Sequence, residues 1–303
     1  MRFFLSIILI GLLGIFDISA SENHGTRLVL LGTGTPNAEP DRSGPSLAII
    51  VKNKSYIVDF GPGIVRQANK LYTQDNGAYL SLKPSNLEVA FLTHLHSDHT
   101  TGYPDLIFTP WVLERDTPLK VFGPTGIKSM TENILEAYGS DIRYRIDGSE
   151  PANETGWNVE VDEIDEGIVY KDDLVEVEAF KVNHGSWENA FGYKFTTADK
   201  TIIISGDTAP SEKLIEMAKG SDILVHEVYS QSGFDRRSDV WKNYHSKHHT
   251  STNELAEIAN IAKPKLLLLT HILFWGSSEE DIIDEIGSNY SGKVIVGEDL
   301  SVY

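Results

Sequence analysis

Short apolar runs that stop at a polar or charged residue recur along this chain. Runs of this length between polar positions are typical of buried strands. They predict strands near residues 27–32, 46–51, 55–59, 88–93, 119–122, 158–163, 174–182, 190–196, 201–205, 222–226, 266–270 and 293–297. Apolar residues at helical spacing predict helices near 62–72, 103–108, 125–138, 211–218, 252–262 and 279–287. This order allows two sheets packed between outer helices, which is an α/β fold.

Five of the predicted strands lead into residues that can bind a metal ion. The first leads into Thr93-His94-Leu95-His96-Ser97-Asp98-His99, and the others lead into His184, Asp207, His226 and His271. Side chains at the carboxyl ends of neighbouring strands meet at one edge of a sheet. Imidazole nitrogens suit zinc, and a nearby carboxylate adds charge that can hold a second divalent ion. One such histidine is usually a capped core residue, but five sites with this placement favour a metal centre.

These residues, in this order, resemble the ligand series of the metallo-β-lactamase superfamily: His94-x-His96-x-Asp98-His99, then His184, Asp207 and His271. The resemblance extends from Leu28 to the C-terminus and implies that superfamily's αββα sandwich, with two mixed β-sheets flanked by helices. Within the superfamily, Ser205–Thr208 and Leu224–Glu227 resemble the ribonuclease Z-like branch. The leader, the short middle region and the segment Asp59–Gly63 resemble secreted arylsulfatase-like hydrolases most closely.

The resemblance implies two Zn²⁺ ions, with manganese or iron as alternatives. It assigns the ligands to two groups bridged by one carboxylate: His94, His96 and His184; Asp98, His99 and His271; and Asp207 between them. Two ions about 3.5–4 Å apart would share a hydroxide that is a nucleophile near neutral pH. The chain contains no cysteine, so the cysteine-ligated site of some true β-lactamases is impossible here.

The residues around the ligands suggest further roles. The resemblance implies that His226 is catalytic and donates a hydrogen bond or a proton to the leaving oxygen. A neutral histidine bonded to a backbone carbonyl is the structural alternative. Adjacent residues on a strand face opposite ways, so Glu227 is expected to anchor a different element. Asp59 is a candidate acceptor for the N–H of a ligand histidine, with a turn residue as the alternative.

The histidine-rich segment Tyr244–His249 is expected to be a polar loop, although a third metal site is an alternative. It precedes Ser251-x-x-Glu254, which predicts a capping box at the start of the 252–262 helix. His249 could approach the rim of the site. Four aromatic residues could line a substrate pocket, although core packing is the default for each: Phe108, Trp111, Trp187 and Trp241.

Residues 1–20 are predicted to be a secretory signal peptide, and residues 21–303 a single hydrolase domain. Arg2 precedes a mostly apolar 14-residue run, Phe3–Phe16, and Ser19–Ser21 offers small residues for cleavage. The run is short for a membrane span, with an uncleaved anchor as the alternative. We therefore expect export to the periplasm or the extracellular space and no stable membrane association after cleavage. The sequence does not indicate an oligomeric state.

The charge of the chain disfavours nucleic acid as a partner. The formal net charge is −18. The segment Asp147–Asp173 contains ten carboxylates and one cation, Lys171. A protein that binds nucleic acid needs cationic surface to offset phosphates. A local basic patch could still exist, because a net charge says nothing about where the charges lie.

The leading hypothesis is a secreted di-zinc hydrolase of the arylsulfatase type, which cleaves a sulfate or phosphate ester of a small substrate. A phosphodiesterase or ribonuclease Z-like nuclease is the first alternative. Enzymes of that kind resemble this chain but carry an RNA-gripping arm between the positions of His184 and Asp207, where this chain has only 22 residues. Hydrolysis of a lactone, a thioester or a β-lactam also stays open, as does a non-catalytic zinc-binding module.

Overall fold

A computed structural model describes residues 25–74 and 78–303 of the chain. The predicted signal peptide, residues 1–20, lies outside the described residues. None of the helices within the described ranges combines the length and the hydrophobicity that crossing a bilayer requires.

Two mixed β-sheets form the centre of the molecule, and in both of them the strands follow one another in chain order. The first sheet contains β1 (Arg27–Gly32), β2 (Ser46–Val51), β3 (Lys54–Val58), β4 (Val89–Phe91), β5 (Leu119–Gly123) and β6 (Val159–Glu163). The second contains β7 (Gly167–Lys171), β8 (Val175–Lys181), β9 (Phe191–Thr197), β10 (Thr201–Ile204), β11 (Ile223–Tyr229), β12 (Leu266–Leu273) and β13 (Val294–Val296). Each sheet begins with antiparallel pairs and ends with parallel ones.

Helices cover the outer faces of both sheets. They are α1 (Ile64–Gln74), α2 (Ser97–Thr100), α3 (Tyr103–Val112), α4 (Ile127–Ala137), α5 (Gly139–Asp147), α6 (Glu212–Ala218), α7 (Gln231–Asp235), α8 (Asp239–His248), α9 (Thr252–Ala262) and α10 (Glu279–Gly287), with short 3₁₀ turns at Leu80–Leu82 and Pro84–Asn86. One apolar cluster lies between the sheets, and one lies under the helices on each side. The predicted αββα sandwich is confirmed.

The predicted order of strands is also confirmed, with elements added where the apolar pattern is weak. β7 and α5 were not predicted, because their residues are mostly exposed or half-buried. The capping box of α9 is present, with Ser251 Oγ accepting from Glu254 N and the Glu254 carboxylate accepting from Ser251 N.

The prediction of a polar loop at Tyr244–His249 is wrong, because most of this segment belongs to α8. The inward positions near the end of α8 are His245 and His248, which are buried one helical turn apart. A helix whose buried positions are histidines has no apolar stripe, so the hydrophobic pattern could not reveal it.

Candidate metal centre

The His94–His99 segment is fixed in place by one buried carboxylate at the end of β3. Asp59 accepts hydrogen bonds from Thr93 N (2.8 Å) and Thr93 Oγ1 (2.9 Å). It also accepts from His99 Nδ1 at 2.8 Å. The predicted role of Asp59 as an acceptor for a ligand histidine is therefore what the structure shows, and this bond leaves His99 Nε2 facing the centre.

The first predicted ligand group is a tight cluster of ring nitrogens. His96 Nδ1 lies 2.9 Å from His94 Nε2 and 3.1 Å from His184 Nε2. Two nitrogens bound to one tetrahedral zinc ion are about 3.3 Å apart. Trp187 donates from Nε1 to His96 Nε2 at 2.8 Å, and His184 Nδ1 bonds the carbonyl of His248 at 2.8 Å. Both contacts turn the remaining ring nitrogen of each histidine toward the cluster.

The second predicted group lies beside the first, and one carboxylate stands between them. Asp98 Oδ2 is 3.1 Å from His271 Nε2 and 3.5 Å from His99 Nε2. Asp207 Oδ2 lies 3.8 Å from His94 Nε2 and 3.6 Å from His271 Nε2, and its Oδ1 lies 3.5 Å from His99 Nε2. The structure thus brings all seven predicted ligands together, with Asp207 in contact with both groups.

A bulge places His271 in the centre. The pairing of β11 with β12 shifts between Glu227 and Val228, so that His271 has no partner in the ladder. Its φ is +46°, which lies in the left-handed region that L residues rarely adopt. A bulge re-aims a side chain, and here the strand continues for two residues beyond the ligand instead of ending at it.

Burial and neighbouring charges shift the histidine pKa values of the two groups in opposite directions. Burial lowers the pKa of His184 to about 3 and holds the pKa of His94 well below its usual value. Burial alone would also lower the pKa of His271, but Asp207 and Asp98 raise it to about 9. Burial would raise the pKa of Asp207, but His271 and His99 hold it well below its usual value. The first group therefore presents neutral imidazoles, the form that binds metal ions.

The donor set fits two divalent cations of the zinc type. His99 Nε2 is buried and has no hydrogen-bond partner among the described residues, although it faces two carboxylates. The nitrogens and carboxylate oxygens of each group lie within 4.8 Å of one another, and nitrogen and oxygen donors of this kind suit zinc. A di-metal site is supported, and the individual ligand assignments stay predictions.

His226, the predicted catalytic residue, lies in β11 and is fully buried. Its Nδ1 bonds the carbonyl of Glu227 at 2.5 Å, and its Nε2 has no partner among the described residues. Alternation along the strand puts His226 on the same side as Leu224 and Val228, which pack in the cluster under the outer helices. Burial lowers the pKa of His226 to about 4.

Glu227 faces the centre and anchors two loops. Its Oε1 accepts from Thr250 N (2.9 Å) and Thr208 N (3.3 Å), as expected of a residue that anchors another element. Its Oε2 lies 3.4 Å from His249 Nδ1. Burial raises the pKa of Glu227 well above its usual value, and burial lowers the pKa of His249 to about 4.

His249 reaches further into the site than the sequence indicated. It is 6% exposed, and one of its ring nitrogens lies within 4.8 Å of ligand atoms on Asp207 and His271. The signal in the sequence was its place just before Thr250 and the Ser251 capping box, which fixes the backbone at this point. Trp187 also contacts the centre, whereas Phe108 and Trp111 are core residues.

The comparisons with known proteins agree with this geometry. The β-lactamase superfamily domain matches residues 54–272. Ribonuclease Z of Mycobacterium bovis strain BCG is 30% identical over 283 residues, which cover 90% of this chain and 96% of that protein.

Two solved structures share the fold. The metallo-β-lactamase fold protein YhfI from Bacillus subtilis has a TM-score of 0.70 and 17% identity, covering 92% of this chain and all of that one. The short form of human tRNase Z has a TM-score of 0.67 and 21% identity, covering 91% of this chain and 98% of that one.

These relatives correct two expectations. The close resemblance to arylsulfatase-like hydrolases is not supported, because curated relatives that match 90% of the chain are ribonuclease Z proteins. The expectation that the chain avoids nucleic acid is wrong for the same reason. Net charge was a poor guide because the charges are unevenly placed: Arg236–His249 holds four cations, Arg236, Arg237, Lys242 and Lys247, and one carboxylate, Asp239. The chain belongs to the metallo-β-lactamase superfamily, and its homologues include ribonuclease Z.

Proposed function

We propose that this protein is a metal-dependent phosphodiesterase that cleaves RNA, as a ribonuclease Z does. The observation that carries the proposal is 30% identity to ribonuclease Z across 90% of the chain. The two adjoining groups of potential ligands also support the proposal, since their nitrogen and oxygen donors fit two divalent cations. The name of the structural neighbour tRNase Z makes precursor tRNA the RNA to test first.

The chemistry divides between the bound ions and the protein. The two ligand groups, bridged by Asp207, would hold divalent ions, whose positive charge would activate water and neutralise phosphate oxygens. In hydrolysis the water oxygen forms a bond to phosphorus and releases a proton to solvent, one P–O ester bond breaks, and the departing oxygen takes up a proton. We assign delivery of that proton to His249, which lies beside the ligands with Glu227 Oε2 3.4 Å behind its Nδ1.

This assignment gives His249 the role that the sequence predicted for His226. His226 Nε2 is buried and lies on the helix side of the second sheet, whereas His249 and Glu227 face the ligands. The catalytic role of His226 stays a prediction, and a direct comparison of variants at the two positions decides between them.

A cluster of cations, which follows α7 and continues along α8, offers RNA a basic surface near the centre. Among the described residues, Arg236, Arg237, Lys242 and Lys247 form no salt bridge with a carboxylate, so their charges are available to phosphates. The acidic segment Asp147–Asp173 instead lies on the end of α5, the following loop and the edge strands β6 and β7.

The connection between His184 and Asp207 is short, so RNA would have to be bound by the basic surface and not by an arm at this position. β9 and β10 occupy half of the 22 intervening residues, and the short segments that remain are not long enough to form a protruding arm. We therefore expect binding of RNA to depend on α7 and α8.

The test is cleavage of a labelled precursor tRNA with a 3′ extension by the zinc-loaded protein. We expect discrete products that are absent with the Asp207→Asn variant prepared in parallel, which serves as the blank for contaminating nucleases. Equal cleavage by that variant, or intact RNA beside rapid hydrolysis of p-nitrophenyl sulfate, would overturn the proposal.

A further inference from the structure

An aromatic cavity opens beside the metal centre, on the side of His249 and His271. Its volume is about 630 Å³, which is within the range of small-ligand sites. Two elements form its walls: α8 contributes Trp241, Tyr244 and His245, and the segment after β12 contributes Trp275. We call the space between these four side chains the aromatic cavity.

The rings of the aromatic cavity are arranged around His245. His245 stacks on Trp241 with 5.5 Å between ring centroids and 23° between planes. Trp275 lies 4.5 Å from His245 on centroids, and the guanidinium of Arg237 lies 4.8 Å from the centre of the Trp275 ring. The cavity therefore combines flat aromatic faces with one cation.

Two of these residues are placed at a cost that core packing does not explain. Trp241 is 52% exposed, although burying an indole is strongly favourable. Trp275 has φ +47°, a conformation that is an outlier for a bulky residue and that is often found at functional sites. Together they hold two indoles at the mouth of a cavity whose floor contains potential metal ligands.

We propose that the aromatic cavity binds a nucleobase of the substrate by stacking, next to the scissile phosphate. This inference rests on the proposed function for its substrate class. Unpaired bases bind proteins chiefly by stacking on aromatic rings and arginine planes, and the cavity offers both. Because its floor is formed by His249 and His271, a base in the cavity belongs to a nucleotide at the bond that is cut.

The first test uses 2-aminopurine ribonucleoside 5′-monophosphate, whose fluorescence is quenched by stacking. We expect the zinc-loaded protein to bind and quench it. Trp241→Ala should weaken the Kd roughly 5- to 100-fold, and Trp241→Phe should restore most of the affinity. Tyr144→Ala is the matched control, because Tyr144 is 73% exposed on α5 and should leave binding unchanged. An unchanged Kd and unchanged quenching in Trp241→Ala would overturn the inference.

The second test uses precursor RNA with an abasic nucleotide on either side of the cut. We expect an abasic site on one side to raise KM for the wild type and to have little further effect in Trp241→Ala. Equal KM values for intact and abasic RNA would overturn the inference even if RNA is cleaved. If no RNA is cleaved but the probe still requires Trp241, the proposed function fails and the base-binding site stands.

Discussion

At the level of single residues, seven potential metal ligands surround the centre, and His249 lies beside them. Four of the seven potential ligands lie within His94–His99, and the other three follow predicted strands, so all seven were predictable. For His249 the sequence indicated only an approach to the rim, because its closeness to Glu227 and Asp207 comes from the folding of α8 and α9 onto the second sheet. The catalytic role predicted for His226 followed from a motif, and no motif reveals which way a buried ring faces.

Replacement of His249 should separate proton delivery from metal binding. We expect His249→Ala to lower kcat by roughly 10²–10⁴-fold, the usual scale for lost acid–base assistance, with two metal ions retained. Turnover and metal content measured on the same sample check this. His226→Ala is the comparison, and a larger loss of kcat there, with metals still bound, would return the catalytic role to His226.

Replacement of Asp207 should remove metal as well as activity. This carboxylate contacts members of both ligand groups, so Asp207→Asn should lower metal content to one ion or fewer per chain and abolish turnover. Elemental analysis after dialysis gives the stoichiometry. Two tightly held ions in this variant would show that Asp207 does not bridge.

At the level of elements, apolar patterns identified every strand except β7, and the capped helix α9, but they did not reveal α8 or the bulge at His271. A strand pattern ends where apolar residues end, yet β12 continues through the ligand to Leu273. α8 buries histidines in place of aliphatic residues. Both departures lie at the candidate site, where local sequence preference gives way to the placement of functional groups.

A single carboxylate connects the two sheets and should make their association depend on pH. Asp172 Oδ2 accepts from Lys54 Nζ (2.6 Å) and Tyr56 OH (2.7 Å) of β3, and from Tyr170 OH of β7 (2.9 Å). Partial burial alone would raise the pKa of Asp172, but these hydrogen bonds hold it well below its usual value. The charged form is therefore the one that stabilises the fold.

Asp172→Asn should lower the free energy of unfolding by about 1–2 kcal/mol at neutral pH. The contribution of the carboxylate is complete above its unfolded pKa of about 4 and is lost as pH falls toward its folded pKa. The difference between wild type and variant, measured by urea unfolding, should thus shrink below about pH 4. Asp173→Asn is the exposed neighbouring control, and an equal loss there would contradict the role of Asp172.

At the level of the whole molecule, the distribution of charge matters more than its sum. The net charge of −18 suggested a small substrate, but the acidic residues of Asp147–Asp173 lie mostly at the edge strands, whereas Arg237 and Lys247 lie beside residues of the centre. Placement of this kind depends on topology, because β6 and β7 become the edge strands only once both sheets have formed.

Binding of RNA should therefore depend on salt through the cations of α8. We expect log Kd to rise linearly with log salt concentration, and Lys247→Ala to reduce the slope by about 1. Lys171→Ala on β7 is the matched control and should leave the slope unchanged. Equal effects of the two substitutions would place the RNA elsewhere on the surface.

The kind of bond that the metal-loaded protein cleaves is the most direct test of its function. Bis-p-nitrophenyl phosphate and p-nitrophenyl sulfate release the same chromophore, so parallel turnover by one zinc-loaded preparation, with His249→Ala and a chelated sample as controls, compares them directly. We predict dominant hydrolysis of the phosphodiester that is lost on chelation. Dominant release from the sulfate ester, or diester hydrolysis that survives chelation, would contradict a metal-dependent phosphodiesterase.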